Sequence, residues 1–157
     1  RAALPRDQPF LNEMLWMAHS WRDAPHPPAP SRLPEPTRRY ADGFGRPGDR
    51  GVIALCDGFP AGAAWWRHRT SDDPGYGYLA EDIPELTVAV RPAQRRKGVA
   101  AAMLSWLTRE AAEHDLAALC LSVEKDNPAV GAYRAAGFVV VLEDEDALTM
   151  KLDIVEP

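Results

Sequence analysis

Residues 91–100, Arg-Pro-Ala-Gln-Arg-Arg-Lys-Gly-Val-Ala, hold the chemistry most readily read from this chain. Arg95, Arg96 and Lys97 bring three positive charges to one turn, and Gly98 follows them at the head of an amphipathic run. The first turn of a helix leaves backbone N–H groups without intrahelical acceptors, and the aligned peptide dipoles add partial positive charge there. An anion is the natural occupant of such a turn, each favourable charge contact being worth roughly 0.3–1 kcal/mol.

Two elements must hold this turn. Upstream, Leu86-Thr-Val-Ala-Val90 is apolar and rich in β-branched residues, which reads as a buried strand that Pro92 cannot extend. Downstream, Val99, Met103, Trp106, Leu107 and Ala111 recur at helical spacing from Gly98 to about His114. The familiar nucleotide loops do not fit. The order Lys97-Gly98-Val99 lacks the hydroxyl that a P-loop needs, and a Rossmann turn needs glycines that are not here. Further on, Leu119, Leu121 and Val123 alternate as a strand. Asn127 suits an N-cap, Pro128 the first helical position and Gly137 the left-handed residue that ends a short helix.

Arg95-x-x-Gly98-x-Ala100 resembles the pyrophosphate loop of the GNAT superfamily of acyl-CoA-dependent N-acyltransferases. The run from Asn127 through Tyr133 to Gly137-Phe138 is similar to the second half of that family's signature, in which an Asn meets the cofactor and a Tyr lies near its sulfur. The resemblance is strong over residues 50–152 and weak before them. It implies acetyl-CoA as the cofactor, held by the backbone of Val88, Ala89 and Val90 along the pantetheine arm. The amides of Arg95, Arg96, Lys97, Gly98, Val99, Ala100 and Ala101 would wrap the pyrophosphate, with Asn127 and Tyr133 also at the cofactor. Ala100 stands where glycine is commoner, which narrows the space for phosphate.

The implied fold is α/β, a mixed and mostly antiparallel central sheet of six to seven strands with helices on both faces. The central strand, 85–90, and its neighbour, 118–124, would splay to admit the cofactor. The order of elements agrees with this. Phe10, Leu11, Met14, Leu15 and Ala18 share one face of a first helix, and residues 51–56 and 61–69 make a hairpin around the turn Asp57-Gly58-Phe59-Pro60. Residues 139–142 and 147–153 close the sheet around an acidic turn. The first strand is poorly represented before Leu4. Pro25, Pro27, Pro28, Pro30, Pro34 and Pro36 exclude regular structure over 25–36, which reads as a stiff exposed connection, with a short helix expected around Pro36 to Tyr40.

At 157 residues the chain has the length of one substantial domain, and we take 1–157 as a single unit. Hydrophobic and charged contents of 46% and 26% are those of a globular protein. A formal net charge of −5 disfavours nucleic acid and anionic membranes as partners. Cys56 and Cys120 lie in strand-like runs without zinc-ligand spacing, no metal is expected, and a reducing cytoplasm is the simplest location. Neither a membrane span nor a secretory leader is expected. The chain begins with Arg1, which leaves open whether residues precede it.

An alkylamine is mostly protonated at neutral pH and must lose a proton before it attacks a thioester. The resemblance implies Glu85 as the general base, with the complication that Glu85, Thr87 and Ala89 share a strand face unless a bulge intervenes. The N–H of Val88 would face the developing oxyanion, and Tyr133 would protonate the departing thiolate. Neither cysteine has a telling histidine neighbour, so direct transfer in a ternary complex is expected. Trp16, Trp21, Trp65, Trp66, Tyr76 and Tyr78 would line an aromatic acceptor cleft, with Asp72, Asp73, Glu81 and Asp82 nearby to attract a cation. The acceptor is expected to be a small-molecule amine. A peptide N-terminus, and a sensor of acyl-CoA without turnover, stay open, as does a homodimer through an exposed strand edge.

Overall fold

The computed structural model describes residues 1–22 and 33–155. Helix α1 (Gln8–His19) buries Leu11, Met14 and Leu15, the i, i+3, i+4 stripe of a helix with one apolar face. The one-turn helix α2 (Glu35–Arg38) carries Pro36 in its first turn, where a missing N–H costs nothing. It starts one residue before the position expected and ends earlier. Pro25, Pro27, Pro28 and Pro30 lie outside the described residues.

Strands β1 (Arg50–Cys56) and β2 (Phe59–Arg67) form an antiparallel hairpin. Its turn is Asp57-Gly58 alone, both residues at positive φ (51° and 81°), so Phe59 and Pro60 belong to the strand and not to the turn. A register shift at Ala54/Leu55 absorbs an extra residue beside Pro60, which has no N–H for the ladder. Strand β3 (Glu85–Val90), helix α3 (Val99–Glu113), strand β4 (Ala118–Glu124), helix α4 (Ala129–Ala135) and strands β5 (Val139–Glu143) and β6 (Ala147–Asp153) follow. The sheet has six strands in the order β1-β2-β3-β4-β6-β5. In place of a full first strand, Arg1 and Ala3 run along β1, the N–H of Ala3 donating to Gly51 O at 2.8 Å.

Every neighbouring pair is antiparallel except β3 and β4, which are parallel. These two meet at one register pair, Glu85 with Cys120, where Cys120 N–H donates to Pro84 O at 3.0 Å. Beyond that pair they diverge, and the sheet opens toward the ends of both strands. Helices α3 and α4 cover one face, packing Met103, Leu107 and Tyr133 on Leu86 and Val90. Helix α1 covers the other, packing Leu11, Met14 and Leu15 with Tyr40, Trp65 and Ala89. Among the described residues no helix is long and apolar enough to cross a membrane.

Buried polar bonds fasten the segment between α2 and β1 beneath β2. Arg67 pairs with Asp49 through two N–H groups, Nη2 at 2.7 Å and Nε at 3.2 Å, and both side chains are at most 3% exposed. Arg67 Nη1 also donates to the carbonyls of Arg39 and Asp42. Such forked guanidinium contacts fix orientation as well as position. Trp65 Nε1 donates to Tyr40 O at 2.7 Å, on the α1 face.

Candidate active site

The divergence of β3 from β4 leaves backbone groups with nothing opposite them. Arg91 N–H donates to Ala61 O on the β2 side, so by alternation Val88 and Val90 turn their N–H and C=O groups toward β4, into the gap beyond the Glu85–Cys120 pair. Arg95 Nε already occupies the carbonyl of Val90 at 3.1 Å. The groups of Val88 face a cleft of about 1580 Å³ that passes between the strands and is also lined by Ala89 and Val90.

At one end of this cleft lies the basic turn. Arg96 and Gly98 adopt positive φ (60° and 79°), which curls the chain so that α3 begins at Val99. Ala102 N–H makes the first bond back to Gly98 O, leaving the N–H groups of Val99, Ala100 and Ala101 without intrahelical acceptors. A Cβ built on Gly98 would meet nothing within 4 Å, so the space over this turn is open. Arg95, Arg96, Gly98, Val99, Ala100 and Ala101 line the cleft, whereas Lys97 does not: its Nζ turns back to Gln94 Oε1 at 3.2 Å. Free N–H donors and guanidinium groups around open space fit the pyrophosphate of acetyl-CoA, and the unpaired β3 backbone fits its amide-bearing arm.

Glu85 is 2% exposed and lines the cleft from the α1 face, together with Thr87 and Ala89. Strand β3 keeps an unbroken register with β2, so no bulge turns Glu85 away from simple alternation. Its Oε1 accepts from the Tyr40 hydroxyl at 2.5 Å and from Gly77 N–H at 2.7 Å. Its Oε2 is buried with no hydrogen-bond partner among the described residues. Burial pushes this carboxyl above the usual glutamate range, while the bonds from Tyr40 and Gly77 and the charge of Arg69 pull it back. Cys120 sits beside it, and burial first, then the charge of Glu85, raises the thiol to about 12. It is therefore no nucleophile, and Cys56 lies away from the cleft at the hairpin end.

Tyr133 lines the cleft from the opposite face. Burial raises its hydroxyl to about 12, which keeps it protonated at neutral pH. Its place is set by the end of α4: Gly137 at φ 100° lets Phe138 N–H reach Tyr133 O at 3.0 Å and Gly137 N–H reach Arg134 O at 3.0 Å, a Schellman closure, and the rings of Tyr133 and Phe138 pack edge to face. At the other end of α4, Asn127 Oδ1 accepts from Ala129 N–H at 2.9 Å. The helix starts at Ala129, one residue later than expected, and spans seven residues. Asn127 lines the cleft with its amide nitrogen uncommitted among the described residues.

The acceptor side differs from expectation. Trp65 and Trp66 are fully buried on opposite faces of β2 and belong to the core, and Trp16 and Tyr78 do not line the cleft. Asp73 is paired with Arg39, and Asp72, Glu81 and Asp82 stand clear of the cleft. Trp21 and Tyr76 do line it, joined by Thr37, Tyr40 and His19. Sequence reasoning missed Tyr40 and Thr37, because no local pattern links residues 37–40 to Glu85. At the outer rim, Arg22 reaches across from beyond the end of α1 to pair with Glu124, the last residue of β4, and with Asp126 just after it.

The strand pair thus splays beside the open N-terminus of α3, with the Glu85 carboxyl on one face of the sheet and the Tyr133 phenol on the other. A model of the Acetyltransferase (GNAT) family matches residues 12–138, and the chain belongs to that family of acetyl-CoA-using acetyltransferases. Among solved structures, the ribosomal-protein-alanine N-acetyltransferase of Brucella melitensis is similar with a TM-score of 0.71 at 21% identity over 98% of each chain. The protein yncA of Salmonella typhimurium, solved with its cofactor acetyl-CoA, gives 0.73 at 20% identity over 100% of this chain and 94% of that one. An aminoglycoside 6'-N-acetyltransferase complexed with coenzyme A gives 0.67 at 12% identity over 100% of this chain and 98% of that one. At these identities the likeness speaks for the fold. Comparison with curated proteins finds no match.

Proposed function

We propose that this enzyme acetylates the primary amine of a small molecule by direct attack in a ternary complex, with Glu85 as general base and Tyr133 as general acid. The carrying observation is that these two residues lie on opposite faces of the sheet yet line one cleft, which passes through the gap between β3 and β4. Bound acetyl-CoA supplies an activated thioester carbonyl and a thiolate leaving group. The amine approaches from the α1 face, where the Glu85 carboxylate takes its proton. Val88 N–H, free of a strand partner, donates to the carbonyl oxygen as charge builds on it. Tyr133, on the α4 face, returns a proton to the sulfur. Nitrogen gains the acyl carbon and the carbon–sulfur bond breaks; of the two protons an ammonium must shed to become the amide, one leaves to solvent before attack and one passes to Glu85, while Tyr133 donates one to sulfur.

A small acceptor accords with the aromatic groups on this side. Tyr40, Tyr76 and Trp21 wall it, and the bridge from Arg22 to Glu124 and Asp126 crosses its rim where an extended peptide would need an open groove. The test is titration calorimetry with acetyl-CoA, followed by thiol release from the same sample against n-butylamine, benzylamine, spermidine and a glycine dipeptide. Release with one of the first three supports the proposal, release with the dipeptide alone redirects it to peptides, and binding without any release favours a sensor.

A further inference from the structure

Glu85 does not stand alone on its face of the sheet, and the residue that governs it comes from a distant segment. Tyr40, just after α2, is 7% exposed, and its hydroxyl accepts from Tyr76 N–H at 2.7 Å while donating to Glu85 Oε1 at 2.5 Å. We infer that Tyr40 is a positioning residue for the reaction: its hydroxyl, oriented by the Tyr76 amide, pins Glu85 by Oε1 and so fixes the carboxylate that takes the acceptor's proton. This rests on the reading of Glu85 as general base.

The geometry admits little else. A phenol has one proton to give, and the amide of Tyr76 already serves as donor to the same oxygen, so the Tyr40 proton is directed to the carboxylate. Gly77 N–H goes to the same Oε1 at 2.7 Å, so both protein donors act on one oxygen and none of the described residues acts on the other. The Tyr40 ring is held on both sides, stacked on Tyr76 with centroids 5.9 Å apart and covered by the Arg69 guanidinium at 4.9 Å. Its carbonyl takes the Trp65 indole N–H. Gly75 completes the cradle, because a Cβ there would fall 1.8 Å from Glu85 Oε2. The charged and titratable groups around Glu85 are thus the Tyr40 hydroxyl, the Arg69 guanidinium and the Cys120 thiol.

Tyr40→Phe tests this, since it removes the hydroxyl and keeps the ring in its stack. In labelled-glutamate NMR the Glu85 carboxyl resonance, assigned by its loss in Glu85→Gln, should titrate about one pH unit higher in Tyr40→Phe, because a hydrogen bond to the charged form has gone. The acid limb of kcat/KM, measured with acetyl-CoA and the fastest amine of the panel, should move up by the same amount, with turnover about tenfold lower below the limb and recovering above it. An unmoved midpoint and limb would overturn the role of Tyr40 while leaving Glu85 as base. Wild-type turnover in Glu85→Gln would instead overturn the reading of Glu85 itself. If Tyr40→Phe loses acetyl-CoA affinity, the Glu85 titration decides by itself: a midpoint about one pH unit higher supports the pinned carboxylate, and an unmoved one refutes it.

Discussion

Burial raises the Glu85 carboxyl and the Tyr133 phenol alike. In the proposed mechanism this gives the carboxyl more affinity for a proton, which suits a base, whereas the phenol, protonated at neutral pH even at its ordinary value, becomes a weaker acid. For Tyr133 the expected outcome of Tyr133→Phe is a fall in kcat of roughly 10–10²-fold with the KM for acetyl-CoA nearly unchanged, read in steady-state thiol release. For Glu85 the sign of the linkage matters. A carboxyl whose folded pKa is raised contributes stability that is fully present below its unfolded pKa, about 4.3, and lost as pH rises through the folded value. Urea unfolding of wild type and Glu85→Gln across pH should therefore show wild type losing ground to the variant as pH rises from about 4 toward neutrality.

Among the elements, the decisive one is the junction of β3 with α3. Its function depends on what is missing: a strand partner beyond Cys120, hydrogen-bond acceptors for the first helical N–H groups, and a side chain at Gly98. Gly98→Glu puts a carboxylate into the anion site and a side chain on a left-handed residue, a strain of about 1–2 kcal/mol. Loss of acetyl-CoA binding in calorimetry, with the circular dichroism of the fold retained, is the expected result. Helix α4 makes the complementary point. Its Schellman closure at Gly137 sets Tyr133 in place through backbone bonds, so this side chain is aimed by the end of its helix as well as by its packing.

At the scale of the molecule, the site is assembled from segments that meet only in the folded chain, and Arg67 with Asp49 is the fastening that matters most. The pair holds the segment after α2, and with it Tyr40, against the sheet. Asp49→Ala would leave a buried guanidinium without its carboxylate, and a loss of about 3–5 kcal/mol in denaturant unfolding is expected. The two apolar clusters lie on opposite faces of the sheet, each under its own helices, and the cleft passes between them where β3 and β4 part.

Local patterns were enough for most of the elements. Strands 85–90, 118–124 and 147–153 and the helix from Gly98 were legible because apolar periodicity, Pro92, Gly98 and Gly137 act on neighbours within a few residues. The same short range made the cofactor turn readable, since its donors are consecutive backbone amides. The Asp57-Gly58 turn was drawn two residues too long, because nothing local announces that Phe59 and Pro60 are already paired to β1. The acceptor side was beyond such reasoning. Adjacent tryptophans at 65 and 66 look alike in sequence and enter different cores, whereas Tyr40 reaches Glu85 across forty-five positions. Sequence alone determined the family's two motifs and the elements that carry them, because both act over a few neighbouring residues. Only tertiary structure decided which oxygen of Glu85 is held and which aromatic rings surround the acceptor, because those contacts arise when the sheet brings distant segments together.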